Sequence, residues 1–228
     1  MTTLSICLAG PMQAWGAASR FTNRETRPEP TKSGVLGLLA AAQGIRRTES
    51  IEHLLGLSFG VRIDQPGTLM RDFQVARSLD GKRTMPLSNR YYLADAIFVS
   101  AVEGEKELVQ SLSDAIKRPA YPLYLGRRSC PPSRPLFLEV SDAPMARVLE
   151  STPWQASADY RGKQGKTVGL RIVVDGRPGS GDTVRDVPVS FDPRRREYAW
   201  RHVEERWVAV ENADGRDLHD PMAILGGA

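Results

Sequence analysis

Arg127 and Arg128 follow a glycine in the run Tyr121-Pro122-Leu123-Tyr124-Leu125-Gly126-Arg127-Arg128-Ser129-Cys130-Pro131-Pro132. Each guanidinium offers a planar fork of donors that matches a phosphate. Tyr121 and Tyr124 offer faces on which a base can stack, and Gly126 allows close approach of the backbone. The chemistry this suits is the gripping of a nucleic acid. At its plainest the same stretch is a solvated turn with two surface arginines.

Other residue groups suit the same chemistry. Directly after the first apolar run come Met12, Gln13 and Trp15, where Trp15 either stacks on a base or plugs the end of the core. Arg20, Arg24 and Arg27 follow at a spacing suited to phosphate contacts. Thr31-Lys32-Ser33 opens an apolar helical stretch, so Lys32 and Ser33 lie at a helix N-terminus with free amides, a generic anion site that also reads as simple capping. Nucleotide hydrolysis is disfavoured, because a phosphate-binding loop needs glycines where Thr26 and Thr31 stand.

Metal chemistry has little support. His53, His202 and His219 are isolated, and no His, Cys and carboxylate spacing resembles a metal site. No metal or cofactor is expected. Metal-free RNA cleavage needs only a general base and groups that stabilise phosphorane charge. It stays open as the alternative, although the basic loops at 10–34, 65–90 and 121–134 hold no histidine. A scaffold that binds only protein is a third, weaker option. The aromatic signature of RNA-recognition motifs is absent, so any RNA grip comes from loops.

The elements that must position these groups can be read from periodicity. Leu4 to Leu8 alternates as a first strand that ends at Gly10-Pro11. A helix through Val35–Ala42 is apolar nearly all round, hence buried, and stops at Gly44 with Arg46-Arg47 beyond it. Leu57, Phe59, Val61 and Ile63 alternate with Ser58, Gly60, Arg62 and Asp64 as a second strand. A third spans roughly Tyr91–Val102. An amphipathic helix lies between Gly104 and Pro119, and Leu136, Leu138 and Val140 form a last strand. Strand, helix, strand, strand, helix, strand is the split βαβ order of ferredoxin-like and RRM-like domains. The fold class expected is α+β, a βαββαβ palm.

Where a tight hairpin would join the second and third strands, residues 65–90 intervene, an insertion of about 25 residues of a kind that is usually functional or disordered. Asp80-Gly81 is a hairpin signal within it, and Arg71, Arg77, Lys82, Arg83 and Arg90 run along it. A protruding basic β-arm is expected. Beyond residue 145, strand-like runs at 168–174, 183–189 and 203–210 suggest a smaller β-rich subdomain. The division is therefore 1–145 with the arm at 65–90, and 146–228.

The 228 residues carry 31 Lys and Arg, of which 25 are arginine, against 27 Asp and Glu. Residues 1–140 hold 18 basic against 13 acidic side chains, and the remainder 13 against 14, so a polyanion is expected to meet the N-terminal part. No run approaches the ~18 apolar residues of a membrane span. The opening Met1-Thr2-Thr3 lacks a signal-peptide pattern, and the two cysteines make no disulfide framework. A cytoplasmic location is expected.

Five blocks then coincide with a known family. They are Leu8-Ala9-Gly10-Pro11-Met12-Gln13-Ala14-Trp15-Gly16 with Arg20, residues 30–41, residues 59–67, residues 86–96, and the loop at 121–132. Together they resemble the CasD-type subunits of type I-E CRISPR Cascade, in the Cas-five family of the RAMP superfamily. The resemblance implies a non-catalytic, RNA-binding role in antiviral defence. Such a subunit has a ferredoxin-like palm and a thumb, here the arm, and caps the complex by holding the 5′ handle of CRISPR RNA. It also implies protein partners, the Cascade backbone subunit and the large subunit, with target DNA met only through the complex. Read this way, Arg127, Arg128, Lys32 and the Arg20–Arg27 loop hold phosphates, Trp15 and Tyr124 stack, and the arm parts handle from guide.

Overall fold

The computed structural model describes residues 1–16 and 23–216. The fold is mixed α+β and dominated by antiparallel sheet. Strand β1 (Thr2–Ala9) is followed by two short strands, β2 (Met12–Gln13) and β3 (Asn23–Arg24), and by helices α1 (Lys32–Ala42) and α2 (Glu52–Leu55). Then come β4 (Ser58–Gln65), β5 (Thr68–Gln74), β6 (Ser88–Ala94), β7 (Ile97–Gly104), α3 (Lys106–Lys117) and β8 (Phe137–Ser141). The C-terminal part adds α4 (Met145–Ser151), α5 (Ala158–Arg161), β9 (Thr167–Asp175), β10 (Asp182–Ser190) and β11 (Glu197–Glu211).

Seven strands form one sheet in the order β10-β11-β9-β4-β7-β1-β8, with every neighbouring pair antiparallel. α1 connects β1 to β4, and α3 connects β7 to β8. β9 pairs with the free edge of β4, and Val173 and Val203 join the same core cluster as Leu4, Leu36 and Phe59. The C-terminal strands therefore continue the main sheet.

One face of this sheet packs on α1 and α3, burying Phe59, Val61, Leu36, Leu39 and Leu112. The other face is also covered. Met145 and Leu149 of α4 pack against Val99, Ala101, Ile172 and Val174. Arg62 and Asp64 in the β4 alternation are thus as buried as their apolar neighbours. Arg62 and Asp64 are almost fully enclosed and doubly hydrogen-bonded, Nε to Oδ1 at 2.7 Å and Nη2 to Oδ2 at 2.9 Å. Arg62 Nη1 also donates to the carbonyls of Leu149 and Thr152, and Asp64 accepts the Gln155 amide. The pair fastens residues 149–155 to β4, and its remaining hydrogen-bonding capacity is satisfied, as a buried ion pair requires.

The single strand expected over Tyr91–Val102 is two strands. Asp95 takes a left-handed φ of 55°, and the chain turns there from β6 into β7, which lies in the other sheet. β6 centres a small second sheet with β2 and β3 on one edge and β5 on the other. β5 and β6 form the stem of the hairpin arm, in register from Thr68↔Ala94 to Gln74↔Ser88. An Arg77↔Thr84 bridge and Gly81 at φ 71° close its exposed tip.

Candidate nucleic-acid interface

The turn after β1 is built from the inside. Gln13 is fully buried, and its Nε2 donates to the Leu8 and Ala96 carbonyls at 2.9 and 2.7 Å. Its Oε1 accepts the Trp15 indole N–H at 3.0 Å. Trp15 is 1% exposed, with its ring edge against Gly34 of α1. Gln13 and Trp15, expected to contact RNA, lie in the core, where Trp15 takes the plug position that was its other reading. Their amide and indole satisfy each other and the backbone in the core, and Trp15 presents no free face for stacking. Met12 is half-buried in β2.

The start of α1 is likewise committed internally. Thr31 caps the helix by accepting the Gly34 amide at 3.1 Å, and Ser33 is buried beside it. The amide of Lys32 donates to Asp186 Oδ2, and Lys32 Nζ donates to Asp175 Oδ2, both at 2.8 Å. Arg201 ties the two carboxylates together, binding Asp186 through Nε and Nη2 and Asp175 through Nη1. Although burial opposes its charge, these carboxylates hold the Arg201 guanidinium above its ordinary pKa. The anion at this helix N-terminus is therefore Asp186 of the protein itself. Lys32 is held by these carboxylates, and Ser33 stays within the helix cap.

The loop at 121–132 is closed on itself and tied to the turn after β1. Leu125 N–H donates to the Cys130 carbonyl, and Cys130 N–H to the Arg127 carbonyl. Ala14 N–H donates to the Leu125 carbonyl at 3.0 Å. Gly126 has φ +90°, and a Cβ there would lie 1.8 Å from the Ala14 carbonyl oxygen. The close approach that glycine permits is thus to the turn after β1. Arg127 is a staple: Nη1 donates to the Tyr91 carbonyl at 2.9 Å and Nη2 to the Arg24 carbonyl at 2.7 Å, while its guanidinium lies 4.6 Å from the centre of the Tyr92 ring. Arg128 is exposed and has no side-chain partner among the described residues.

These parts surround an open cleft of about 1330 Å³. Its floor is the half-buried stripe of α1, Gly34, Gly37 and Ala41, continued by Ile45. Eight arginines line it against a single carboxylate, Glu25. Arg24 comes from β3 and Arg90 from β6, Arg46 and Arg47 follow α1, Arg127 and Arg128 come from the loop, Arg185 from β10, and Arg196 from the β10–β11 turn. Tyr124 and Tyr198 add half-buried aromatic faces. So many guanidiniums sharing one hollow attract a polyanion, and the mixture of guanidinium and aromatic faces suits a single nucleic-acid strand.

Of the residues expected to bind RNA, Arg24, Arg90, Tyr124, Gly126, Arg127 and Arg128 meet in this cleft. Trp15 and Ser33 border it from their buried places. Arg27 faces a smaller hollow beside Glu29, at 3.5 Å. Arg71, Lys82 and Arg83 are exposed along the arm, outside the cleft lining. Arg20 lies outside the described residues. Sequence reading missed Arg46, Arg47, Arg185, Arg196 and Tyr198. The pair after Gly44 and the run Arg194-Arg195-Arg196 were visible signals.

Among the described residues, no group of three His, Cys, Asp or Glu is placed to hold a metal ion, and no helix is long and apolar enough to cross a membrane. A family model described as CRISPR-associated protein (Cas_Cas5) matches residues 3–204. The chain belongs to the Cas5 family. Among curated Cas5 relatives, the CRISPR system Cascade subunit CasD of Escherichia coli (strain K12) is 37% identical, over 69% of this chain and 76% of its own length. Two solved structures resemble this Cas5 chain. One, described as the crystal structure of a Cas protein, is 37% identical with a TM-score of 0.71, covering 93% of this chain and 97% of that one. The other, from a CRISPR RNA-guided surveillance complex, is 32% identical with a TM-score of 0.75, covering 92% and 91%.

Proposed function

We propose that this chain is a non-catalytic, RNA-binding subunit of a type I-E CRISPR Cascade complex, capping it by holding the 5′ handle of CRISPR RNA. The observation that carries the reading is the cleft, where eight arginines from five parts of the chain face one carboxylate. Family membership supports it, as does likeness to a Cascade subunit and to a protein of an RNA-guided surveillance complex. The order β4-β7-β1-β8, with α1 and α3 as crossovers, supports reading residues 1–145 as a ferredoxin-like palm. In that reading the β5–β6 hairpin is the thumb, and residues 146–228 form a smaller β-rich subdomain that extends the palm sheet.

The proposed protein partners are the complex's backbone subunit and its large subunit, with target DNA met through the assembly. Phe73 and Leu79, highly exposed on the arm, are suited to burial against such neighbours. The rival reading, a metal-independent endoribonuclease, is less favoured because no histidine lines the cleft among the described residues. The test is incubation of the purified protein with labelled repeat RNA in EDTA, alongside an anisotropy titration with the handle. Intact RNA with salt-dependent handle binding is expected. A defined cut at the handle boundary would support the endoribonuclease and overturn the non-catalytic role.

A further inference from the structure

We infer that the β10–β11 hairpin is an RNA-contacting wall of the cleft, gripping the strand directly through Arg185, Arg196 and Tyr198. The inference rests on the proposal that the cleft holds single-stranded RNA. It gives a role to a region beyond the N-terminal part, where net charge had pointed.

The wall is fixed to the palm at two points. Phe191 lies over Gly37, where an added Cβ would come within 3.3 Å of its ring, so the turn and α1 meet closely at the cleft floor. Asp186 holds the Lys32 amide and is clamped by Arg201. Between these anchors, β10 shifts register against β11 at Arg185/Val187 and again at Pro188/Ser190. Such irregularities bend a strand and re-aim its side chains.

The side chains at this wall are available for a ligand. Arg185 is exposed and donates only its Nε, to the Tyr198 carbonyl at 3.0 Å, leaving its terminal nitrogens free. The Arg196 guanidinium lies 5.4 Å from the centre of the Tyr198 ring, and its Nε donates to the Tyr198 hydroxyl. Neither arginine has an ion-pair partner among the described residues, whereas neighbouring Arg195 has Glu197 at 3.7 Å and Arg201 has two aspartates. Two unpaired guanidiniums facing six more across a hollow repel one another until an anion fills it. A phosphate chain along the rim, with a base against the Tyr198 and Arg196 pair, supplies that anion and uses the aromatic face.

The experiment is an anisotropy titration of handle RNA against full-length wild type, R185A/R196A, R128A and R194A at several salt concentrations. Melting temperatures are recorded in parallel. R185A/R196A is expected to weaken binding on the order of 10-fold or more and to lower the log–log salt slope by roughly 0.7 for each phosphate no longer neutralised. R194A, exposed but outside the cleft lining, is expected to bind as wild type. If R194A loses as much as the double variant, the effect is diffuse charge and the direct contact is overturned.

Weaker binding in R128A with none in R185A/R196A overturns this wall and leaves the handle-binding reading standing. Unchanged binding in both overturns that reading. If R185A/R196A melts early, R185K/R196K replaces it. Lysine keeps the charge without the fork of donors, so a severalfold weakening supports the contact and unchanged binding overturns it.

Discussion

Gly126 stands so close to the Ala14 carbonyl oxygen that a single methyl group would come within 1.8 Å of it, at a φ of +90° that disfavours any other residue. This contact locks the arginine-bearing loop to the turn after β1. G126A is therefore expected to cost about 2 kcal/mol of stability through backbone strain and to lower handle affinity by displacing Arg128. Denaturant unfolding with a parallel RNA titration checks both.

Arg127 and Arg128 are adjacent but differ in kind. Arg127 holds two carbonyls and an aromatic face, so R127A is expected to lower both the melting temperature and RNA affinity. Arg128 is exposed and has no side-chain hydrogen bond, ion pair or ring contact among the described residues, so R128A is expected to leave the melting temperature within a degree or two and to weaken binding about 10-fold. Equal thermal losses in the two variants would contradict this division.

The Arg62–Asp64 pair predicts a large stability effect remote from RNA. R62A leaves the Asp64 carboxylate buried without its partner, which is expected to cost about 3–5 kcal/mol. The urea midpoint is the measurement, and a loss below about 1 kcal/mol would show that solvent reaches the site.

Burial is the main reason the Cys7 thiol is pushed up to about 11, with Arg134 partly opposing it, and burial raises Cys130 as well. Both thiols should resist alkylation at pH 8 until the chain unfolds. The sign of the pH effect follows from which state ionises first. Below the ordinary thiol range both states are protonated and stability is full. As pH rises from that range through about 11, the unfolded chain ionises while Cys7 stays neutral in the fold, so stability falls. The drop in urea midpoint from pH 7 to pH 10 should be smaller in C7A.

Because Gln74 pairs with Ser88, replacing residues 75–87 by Asn-Gly closes the arm as a two-residue hairpin. The shortened protein is expected to melt within a few degrees of wild type and to fail in assembling the guide complex. Normal assembly would remove the arm from the proposed partner surface.

Periodicity carried the reading of β1, β4 and α3, whose apolar patterns fit one element type, while α1 showed itself by its length and by the Gly44 stop. Their order was accessible for that reason. It failed at Asp95, since a left-handed residue within an apolar run leaves no trace in hydropathy. Trp15, Gln13 and Lys32 each carry two readings in the sequence, because residues suited to RNA also make core plugs and buried ion pairs. Burial, which decides between these roles, depends on distant partners such as Asp175 and Asp186. Arg185 and Arg196 lie roughly 60 residues and more beyond Arg128 in the chain. They reach the cleft through the pairing of β9 with β4 and the Phe191 and Asp186 contacts with α1, which no local pattern reports.

The central claim is that this cleft is where CRISPR RNA lies. The most direct measurement is photo-crosslinking of RNA carrying 4-thiouridine through the 5′ handle, in the assembled complex, with crosslinked peptides identified by mass spectrometry. Crosslinks are expected in peptides containing Tyr124–Ser129 and Arg196–Tyr198. Handle crosslinks confined to other surfaces of this chain, or to other subunits, would contradict the account.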